Sequence, residues 1–414
     1  MNSPNISLPR NINYIHLNDL EDYKVLDLSQ STLYRDWLSR VIYALKRGFS
    51  DGLIGETTYR HHIGIANGPS SVYRLKGSAI LLSYIWTNKE PKLLPIWLEN
   101  NFITGTDAFW IEKYPFLLVD HDSIHQRIIN IKRNIFNPLV LAQEEWCQNL
   151  LVSDNNHFGH FCLDSLPLIA LESYLPSTQS SCKNNALPFR YKQGIIEVAK
   201  VLIKYACKLP GSNMRDIEFG DKNPLPDSIS TYTKIENLVQ YHQSNTFVGY
   251  YLLRKYLTAC QDVLLQESQS QSINQDHIFL MRTGNYRSRI DNIDEVTLLL
   301  EKHRFTIIDP SSLTFLELFS ILWNSKIIVS EGGSTLLNAG LFSNDSTRII
   351  ALLPKRLLSK ADFSMLISGH PYFMPFFDRM SIVSGKSTQI SIVQSSDIAV
   401  YSIDLLNQKL SAIF

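Results

Sequence analysis

The feature that most constrains the fold is a regular alternation of short apolar runs and helical patterns between residues 277 and 353. Each apolar run spans four to six residues and stops at a turn signal or a proline, which is typical of a buried strand. Strands that alternate with helices in this way form a parallel sheet covered on both faces, so the sequence predicts an α/β domain. The predicted strands cover residues 277–282, 305–308, 326–330 and 348–353, and the predicted helices cover residues 291–303, 314–323 and 336–341.

Two of these helices carry sequence signals at their starts. Asn292 with Glu295, and Thr314 with Glu317, have the spacing of a capping box, in which the first side chain and the residue three positions later satisfy each other's backbone N–H groups. We therefore expect both helices to begin at these pairs.

A length of 414 residues predicts two to three domains. A tract rich in Glu, Ser, Gln and Asn precedes the α/β region and is typical of a linker or long loop. Helical spacing is also visible at residues 193–209 and 247–265. The predicted organisation is an N-terminal domain at 1–265, a linker at 266–276, a C-terminal domain at 277–395 and a closing helix at 396–414.

The composition excludes several classes of protein. Hydrophobic residues make up 44% of the chain, which is enough for packed cores and excludes wholesale disorder. The 39 basic and 39 acidic residues cancel, which argues against a nucleic-acid partner. Five cysteines without a Cys-x-x-Cys pair, no signal-peptide pattern and no long apolar window favour a soluble, cytoplasmic protein.

Candidate binding residues follow the predicted strands. In a parallel sheet, ligands bind beyond the carboxyl ends of the strands, so residues at those ends share one edge. Three arginines follow the first strand, and a run of small and polar residues ends the third. These candidates are Arg282, Arg287, Arg289, Ser330, Glu331, Gly332, Gly333, Ser334 and Thr335.

The Gly-Gly-Ser-Thr turn enters a predicted helix, where backbone N–H groups and the helix dipole attract an anion. With the arginines at the same edge, a diphosphate is the expected ligand. The chain has neither Gly-x-Gly-x-x-Gly nor a P-loop motif, so a dinucleotide fold is not expected. The alternative is that the glycines only form a tight turn and that the arginines are solvated.

A second constellation lies near residue 160. His157, His160 and Asp164 share one face if the segment is helical, so they could bind zinc or transfer protons, and we favour acid–base chemistry. The alternatives are a histidine stripe at an interface and an Asp164 that braces the break before Pro167.

A third feature is Asp120-His121-Asp122, which follows the apolar run Phe116–Val119. Paired carboxylates at a strand end can hold Mn²⁺ or Mg²⁺ against a diphosphate, and they are also common turn formers.

Three blocks together resemble glycosyltransferase family 61. The first is His-x-x-x-Asp-x-Leu-Pro at residues 160–167. The second is the arginine-rich turn at residues 282–289, followed by Asn292 and Glu295. The third is the strand, Gly-rich turn and Leu-x-Asn at residues 329–338, followed by a strand that ends at Pro354.

The resemblance implies a GT-B-like α/β fold, in which two Rossmann-like domains face a cleft and the C-terminal parallel sheet binds the nucleotide. It implies inverting transfer from a nucleotide sugar, usually UDP-linked, without an essential metal or cofactor. The acceptor would be a glycan or lipid-linked glycan in polysaccharide biosynthesis, with peripheral membrane contact. By position, Asn338 joins the donor-binding residues, and Asp164 and His160 form the catalytic block.

One departure concerns the third block. Many members have His-Gly where this chain has Gly332-Gly333, so a leaving-group role of that histidine is either unnecessary here or taken by a neighbour such as Glu331. A catalytically inactive nucleotide-sugar-binding or scaffold protein, and a metal-dependent GT-A-type transferase that uses Asp120 and Asp122, remain alternatives.

Overall fold

The computed structural model divides into two compact units, one of residues 1–31 and 69–253 and one of residues 32–68 and 254–414. The structure describes residues 13–52, 54–85, 91–98, 101–104, 144–145, 166, 186–187, 193–206, 218–219, 232–241, 246–268, 275–283, 288, 290–354, 379–388 and 398–414. The units divide between residues 253 and 254, which lie inside a helix, whereas the sequence predicts a linker at residues 266–276. Residues 32–68, which contain two helices, belong to the second unit.

The first unit contains a mixed seven-stranded sheet in the order β1-β5-β4-β3-β9-β6, with β2 paired to β3. The pairs around the long strand β3 are antiparallel, whereas β1 with β5 and β6 with β9 are parallel. Two short strands, β7 and β8, form a separate parallel pair. The strands are β1 (Asn13–His16), β2 (Lys24–Asp27), β3 (Ser71–Ile85), β4 (Pro91–Leu98), β5 (Asn101–Thr104), β6 (Glu144–Glu145), β7 (Ala186–Leu187), β8 (Glu218–Phe219) and β9 (Tyr232–Tyr241).

Helices occur in both units. Those expected from helical spacing near residues 193 and 247 are present as α3 and α4, and α4 spans the boundary between the units. The helices are α1 (Thr32–Ser50), α2 (Glu56–Ala66), α3 (Gln193–Ala206), α4 (Thr246–Glu267), α5 (Ile293–Lys302), α6 (Phe315–Asn324), α7 (Ser334–Phe342) and α8 (Ile403–Ser411). Short 3-10 turns occupy Leu17–Asp19, Glu21–Tyr23, Leu28–Gln30 and Pro310–Ser312.

The second unit contains the α/β domain that the alternating pattern predicts. Its six-stranded sheet has the order β11-β10-β12-β13-β14-β15, and the first five strands are parallel. The last strand is an antiparallel edge strand within the region expected to hold only a closing helix. The strands are β10 (His277–Leu280), β11 (Thr306–Ile308), β12 (Ile327–Glu331), β13 (Arg348–Pro354), β14 (Met380–Thr388) and β15 (Ile398–Tyr401).

The strand order defines a switch point in this sheet. The chain starts at β10, adds β11 on one side, and then places β12 on the other side of β10. Connections that leave β10 and β12 therefore diverge at their carboxyl ends, which opens the crevice where doubly wound sheets bind ligands.

The central strands β10, β12 and β13 are largely buried on both faces, which explains why they are nearly continuous apolar runs rather than alternating ones. On one face, Phe279 and Val329 pack in a cluster with Val296 of α5 and Leu406 of α8. All five residues of β12 are buried, and the eight residues of α7 after Ser334 are buried as well.

The two predicted capping boxes have different outcomes. Thr314 and Glu317 form the complete box at the start of α6, as predicted. α5 begins at Ile293 with Asn292 as its N-cap, as predicted, but the capping box at Asn292 and Glu295 does not form, because the Asn292 side chain makes no capping bond. Its amide group instead donates to the Tyr401 carbonyl and accepts from the Tyr401 N–H, each at 2.9 Å, which fixes the end of β15.

The carboxyl end of α7 is held by two buried arginines. Arg254 of α4 donates to the carbonyl oxygens of Leu341 and Ser343 at 2.6 and 2.9 Å, and it pairs with Asp345 at 2.9 Å. Arg379 donates to the Ser343 hydroxyl at 3.3 Å. These cations satisfy carbonyl groups that the helix leaves without partners and oppose the negative end of its dipole.

Among the helices within the described ranges, none is long and apolar enough to cross a membrane.

Candidate functional site

The carboxyl ends of β10 and β12 bring the predicted binding residues of the second unit together. Arg282 follows β10, and the turn Gly332-Gly333 joins β12 to α7. The two strands are paired in register, with Leu280 opposite Ser330. The predicted arginine and the predicted glycine turn therefore lie at the same edge of the sheet, at its switch point.

The glycine turn depends on two different physical constraints. Gly333 has φ of 103° and ψ of −145°, a conformation open almost only to glycine. Gly332 donates its N–H to the Leu352 carbonyl at 3.0 Å, and a Cβ at this position would lie 2.8 Å from Cδ2 of Leu353. A side chain at position 332 would therefore require the end of the Leu353 side chain to move.

Gly333 is also the N-cap of α7 and offers no side chain to the first N–H groups of that helix. Those N–H groups have no partner within the helix and carry the positive end of its dipole. Gly333 and Ser334 are both partly exposed, so the start of α7 faces solvent.

Arg282 is positioned against this helix start. A guanidinium nitrogen of Arg282 lies 3.3 Å from the Ser334 hydroxyl, to which it donates. The Arg282 residue is partly exposed. A cation and the positive end of a helix dipole thus face the same region, which is the arrangement that binds phosphate groups.

Glu331 lies beneath this surface with 1% of its area exposed. Its Oε1 accepts the backbone N–H of Arg282 at 2.6 Å, and its Oε2 accepts the Ser288 hydroxyl at 3.2 Å. Burial, together with the nearby charges of Glu331 and Asp291, raises the pKa of Tyr401 well above its ordinary value. The Glu331 carboxylate therefore lies inside the protein, beneath the site, and not on its surface.

The other predicted donor-site residues in this region are buried. The hydroxyls of Ser330 and Thr335 both donate to the Glu331 carbonyl, at 3.1 and 2.7 Å. Asn338 is 4% exposed, and its side-chain oxygen has no hydrogen-bond partner among the described residues. The structure thus separates a partly exposed set, Arg282, Gly333 and Ser334, from a buried set behind it.

Sequence reasoning missed two residues at this edge. Ser288 contacts Glu331 as described, and Asp309, which follows β11, accepts the N–H of Thr283 at 3.2 Å and also the Thr283 hydroxyl. Burial tends to raise the pKa of Asp309, but hydrogen bonds from Thr283 and Ser311 outweigh it, so this pKa is lowered. The only sequence signal for Asp309 was its place after a predicted strand, which the prediction used as a turn signal alone.

The remaining predicted site residues lie outside the described part of the chain. These are His157, His160, Asp164, Asp120, Asp122, Arg287 and Arg289. Within the described ranges, no group of three or more His, Cys, Asp or Glu side chains is arranged to hold a metal ion.

Comparison with known families agrees with the resemblance seen in the three blocks. Residues 158–350, a little under half of the chain, match the family model described as Glycosyltransferase 61. No curated protein is detectably similar to the chain. The matched range includes His160, Asp164 and the sheet edge from Arg282 to Asn338, and it leaves out Asp120 and Asp122.

The match supports a glycosyltransferase, an enzyme class that acts on a sugar donor and an acceptor. Over the matched range the chain is similar to glycosyltransferase family 61, and the described part of that range contains β10, β11, β12, the start of β13 and the switch point of the sheet.

Proposed function

We propose that the chain is an inverting glycosyltransferase that moves a sugar from a nucleotide-sugar donor, UDP-linked, to a hydroxyl group of a glycan in polysaccharide biosynthesis, as in the bacterial branch of family 61. The observation that carries the proposal is the contact between Arg282 and Ser334 at the switch point of the parallel sheet. The family match over residues 158–350 supports the same class of reaction.

The donor diphosphate would bind where Arg282 and the start of α7 meet. There a guanidinium can donate charge-assisted hydrogen bonds, and the N–H groups of the first helical turn can donate further ones. Arg287 and Arg289 would add positive charge from the same arginine-rich segment. The site would need no bound cofactor or metal, because these cations and amides stabilise the charge of the departing diphosphate.

The acceptor would be activated by Asp164, oriented by His160. The acceptor hydroxyl gives its proton to the Asp164 carboxylate as its oxygen bonds to the anomeric carbon. The bond from that carbon to the diphosphate oxygen breaks on the opposite face, and the nucleoside diphosphate leaves. Configuration at the anomeric carbon is therefore inverted.

This chemistry fits a GT-B-like arrangement in which residues 1–265 form the acceptor side and residues 277–395 form the donor side. A glycan or lipid-linked glycan acceptor would place the enzyme in the cytoplasm with peripheral contact to the inner membrane. Balanced charge, 39 basic against 39 acidic residues, supports a local anion site rather than a nucleic-acid surface.

A second candidate is a nucleotide-sugar-binding protein without catalytic activity, and the glycine at position 332 favours it. This chain has Gly332 where many members of family 61 have histidine. If the family's histidine at this position is required for the chemistry, the chain would bind the donor without transferring the sugar.

One experiment separates these candidates. We expect UDP-sugars to raise the melting temperature more than GDP-, CMP- and dTDP-sugars, because a ligand at 100 times its Kd adds about 2.7 kcal/mol to stability. Release of UDP from the stabilising donor supports the transferase, and stabilisation without release supports the binding protein. Stabilisation and release abolished by EDTA and restored by Mn²⁺ would instead favour the metal-dependent alternative at Asp120 and Asp122. No effect from any nucleotide sugar would contradict the proposed function.

A further inference from the structure

The carboxylate of Glu331 contacts Arg282 and Ser288, two residues of the arginine-rich segment at 282–289. Its two oxygens accept from Arg282 N at 2.6 Å and from Ser288 Oγ at 3.2 Å, six positions apart in the sequence. Ser288 Oγ in turn accepts the N–H of Ile290 at 3.2 Å. The carboxylate thus holds the backbone on both sides of residues 283–287.

Arg282 is therefore held by hydrogen bonds both at its backbone N–H and at its guanidinium group. Its backbone N–H is bound to Glu331, the last residue of β12, and its guanidinium is bound to Ser334, the first residue of α7. Both partners belong to one strand–turn–helix connection, in which Gly333 has a φ of 103°. The direction of the guanidinium relative to the start of α7 therefore depends on the Glu331 contact.

Electrostatics alone would not favour a carboxylate at this place. A negative charge beside an anion site repels the anion and offsets part of the attraction of Arg282. Glu331 is 1% exposed, and both of its oxygens are occupied by protein donors, so its contribution must come through the groups that it holds.

We propose that Glu331 is a positioning residue of the donor site, which sets the Arg282 guanidinium for contact with the donor diphosphate. This inference rests on the proposed function and gives Glu331 a role distinct from contact with the leaving group. It predicts that Glu331 influences nucleotide affinity only while Arg282 is present.

The test compares UDP affinity, measured by calorimetry, for wild type, Glu331→Leu and Glu331→Gln. Leu has a similar volume and no acceptor, so UDP binding should weaken at least about tenfold, the loss expected for one charge-assisted hydrogen bond. Gln is the matched control because its amide oxygen can still accept from Arg282 N. Its affinity should stay within about threefold of wild type, since the acceptor is kept.

The decisive measurement repeats Glu331→Leu in an Arg282→Ala background. A residue that acts through Arg282 adds no further loss there, whereas a residue that merely supports the fold weakens binding in both backgrounds. Equal losses in both backgrounds, or a Glu331→Leu protein with wild-type affinity, would overturn the inference.

A milder variant serves if Glu331→Leu does not fold. Ser288→Ala removes the Oε2 contact, together with the bond from the Ile290 N–H to the same hydroxyl, and keeps the Arg282 contact. It should weaken UDP binding about threefold or more in wild type but not in Arg282→Ala. Unchanged affinity of Ser288→Ala would then count against the inference. Wild-type protein that binds neither UDP nor GDP, CDP or dTDP would instead refute the proposed function, and the inference with it.

Discussion

A guanidinium nitrogen of Arg282 lies 3.3 Å from the hydroxyl of Ser334, although the two residues are 52 positions apart in the chain. The strand order brings them together, because β10 and β12 are neighbours and their connections leave the same edge of the sheet. A cation and a helix start that face the same solvent region form a site for an anion. The proposed donor site depends on this one juxtaposition.

The glycine turn should be sensitive to substitution at position 333. Gly333→Ala places a Cβ on a backbone with φ of 103°, so we expect a loss of about 1–3 kcal/mol in the free energy of unfolding. Gly64→Ala is a matched control, because Gly64 lies in α2 and a Cβ there would have no described residue within 4 Å; this variant should gain up to about 1 kcal/mol. Urea titrations of both variants check the prediction, and a Gly333→Ala protein as stable as wild type would contradict it.

Arg254 should matter more to stability than its ionic partner. Arg254→Met leaves the carbonyl oxygens of Leu341 and Ser343 without this donor, so we expect a loss of at least about 2 kcal/mol. Asp345→Asn should cost less than about 1 kcal/mol, because the Asp345 side chain is 62% exposed and the pair is screened by water. Denaturant titrations of the two variants would contradict this account if Asp345→Asn lowered the free energy of unfolding more than Arg254→Met.

His277 should make the second unit sensitive to mild acid. Burial lowers the pKa of His277 below its ordinary value of 6.5, and the charge of Lys326 acts in the same direction while Asp276 opposes it. The unfolded chain then binds more protons than the folded chain as the pH falls below 6.5, so stability falls with it. The side chain packs against Phe414 with ring centroids 4.7 Å apart.

The measurement compares unfolding free energies of wild type and His277→Gln between pH 8 and pH 5. We expect the unfolding free energy of wild type minus that of His277→Gln to be constant above about pH 6.5 and to decrease below it. The reason is that only wild type has an imidazole here that takes up a proton more readily in the unfolded chain. Parallel pH profiles for the two proteins would show that His277 does not titrate differently in the folded state.

Local sequence signals predicted much of the second unit. The parallel strands and helices between residues 277 and 353 agree with the prediction to within a few residues, because apolar period and turn residues are local properties. The Thr314–Glu317 capping box was predictable for the same reason. Strand β14 (Met380–Thr388) was not predicted, since Ser, Gly, Lys and Thr interrupt its apolar residues.

These local signals could not predict contacts between residues that are far apart in the sequence. Asn292 binds Tyr401 across 109 residues instead of capping α5, and Glu331 binds Arg282 across 49. The prediction placed Arg282 and the glycines at one sheet edge through a general rule for parallel sheets. It could not separate the partly exposed Ser334 from the buried Thr335, because that depends on how α7 packs.

The proposed catalytic base gives a kinetic prediction. Asp164→Asn should lower the rate of donor turnover at least about a hundredfold, because a positioned base contributes about 10²–10⁴-fold. UDP affinity should not change, since the proposed diphosphate contacts come from Arg282 and α7. Steady-state turnover and calorimetry on the same preparation test both statements, and a near-normal rate would remove Asp164 from this role.

The most direct test of the central claim is the UDP affinity of Arg282→Ala, measured by calorimetry beside Arg348→Ala. Arg348 begins β13 and lies at the opposite end of the same sheet from Arg282. Arg348→Ala is therefore a control in which the same kind of side chain is removed away from the site. We predict that Arg282→Ala weakens UDP binding at least about tenfold, the loss of one charged hydrogen bond, while Arg348→Ala stays near wild type. Equal UDP affinity for wild type and Arg282→Ala would contradict a diphosphate site at this edge of the sheet.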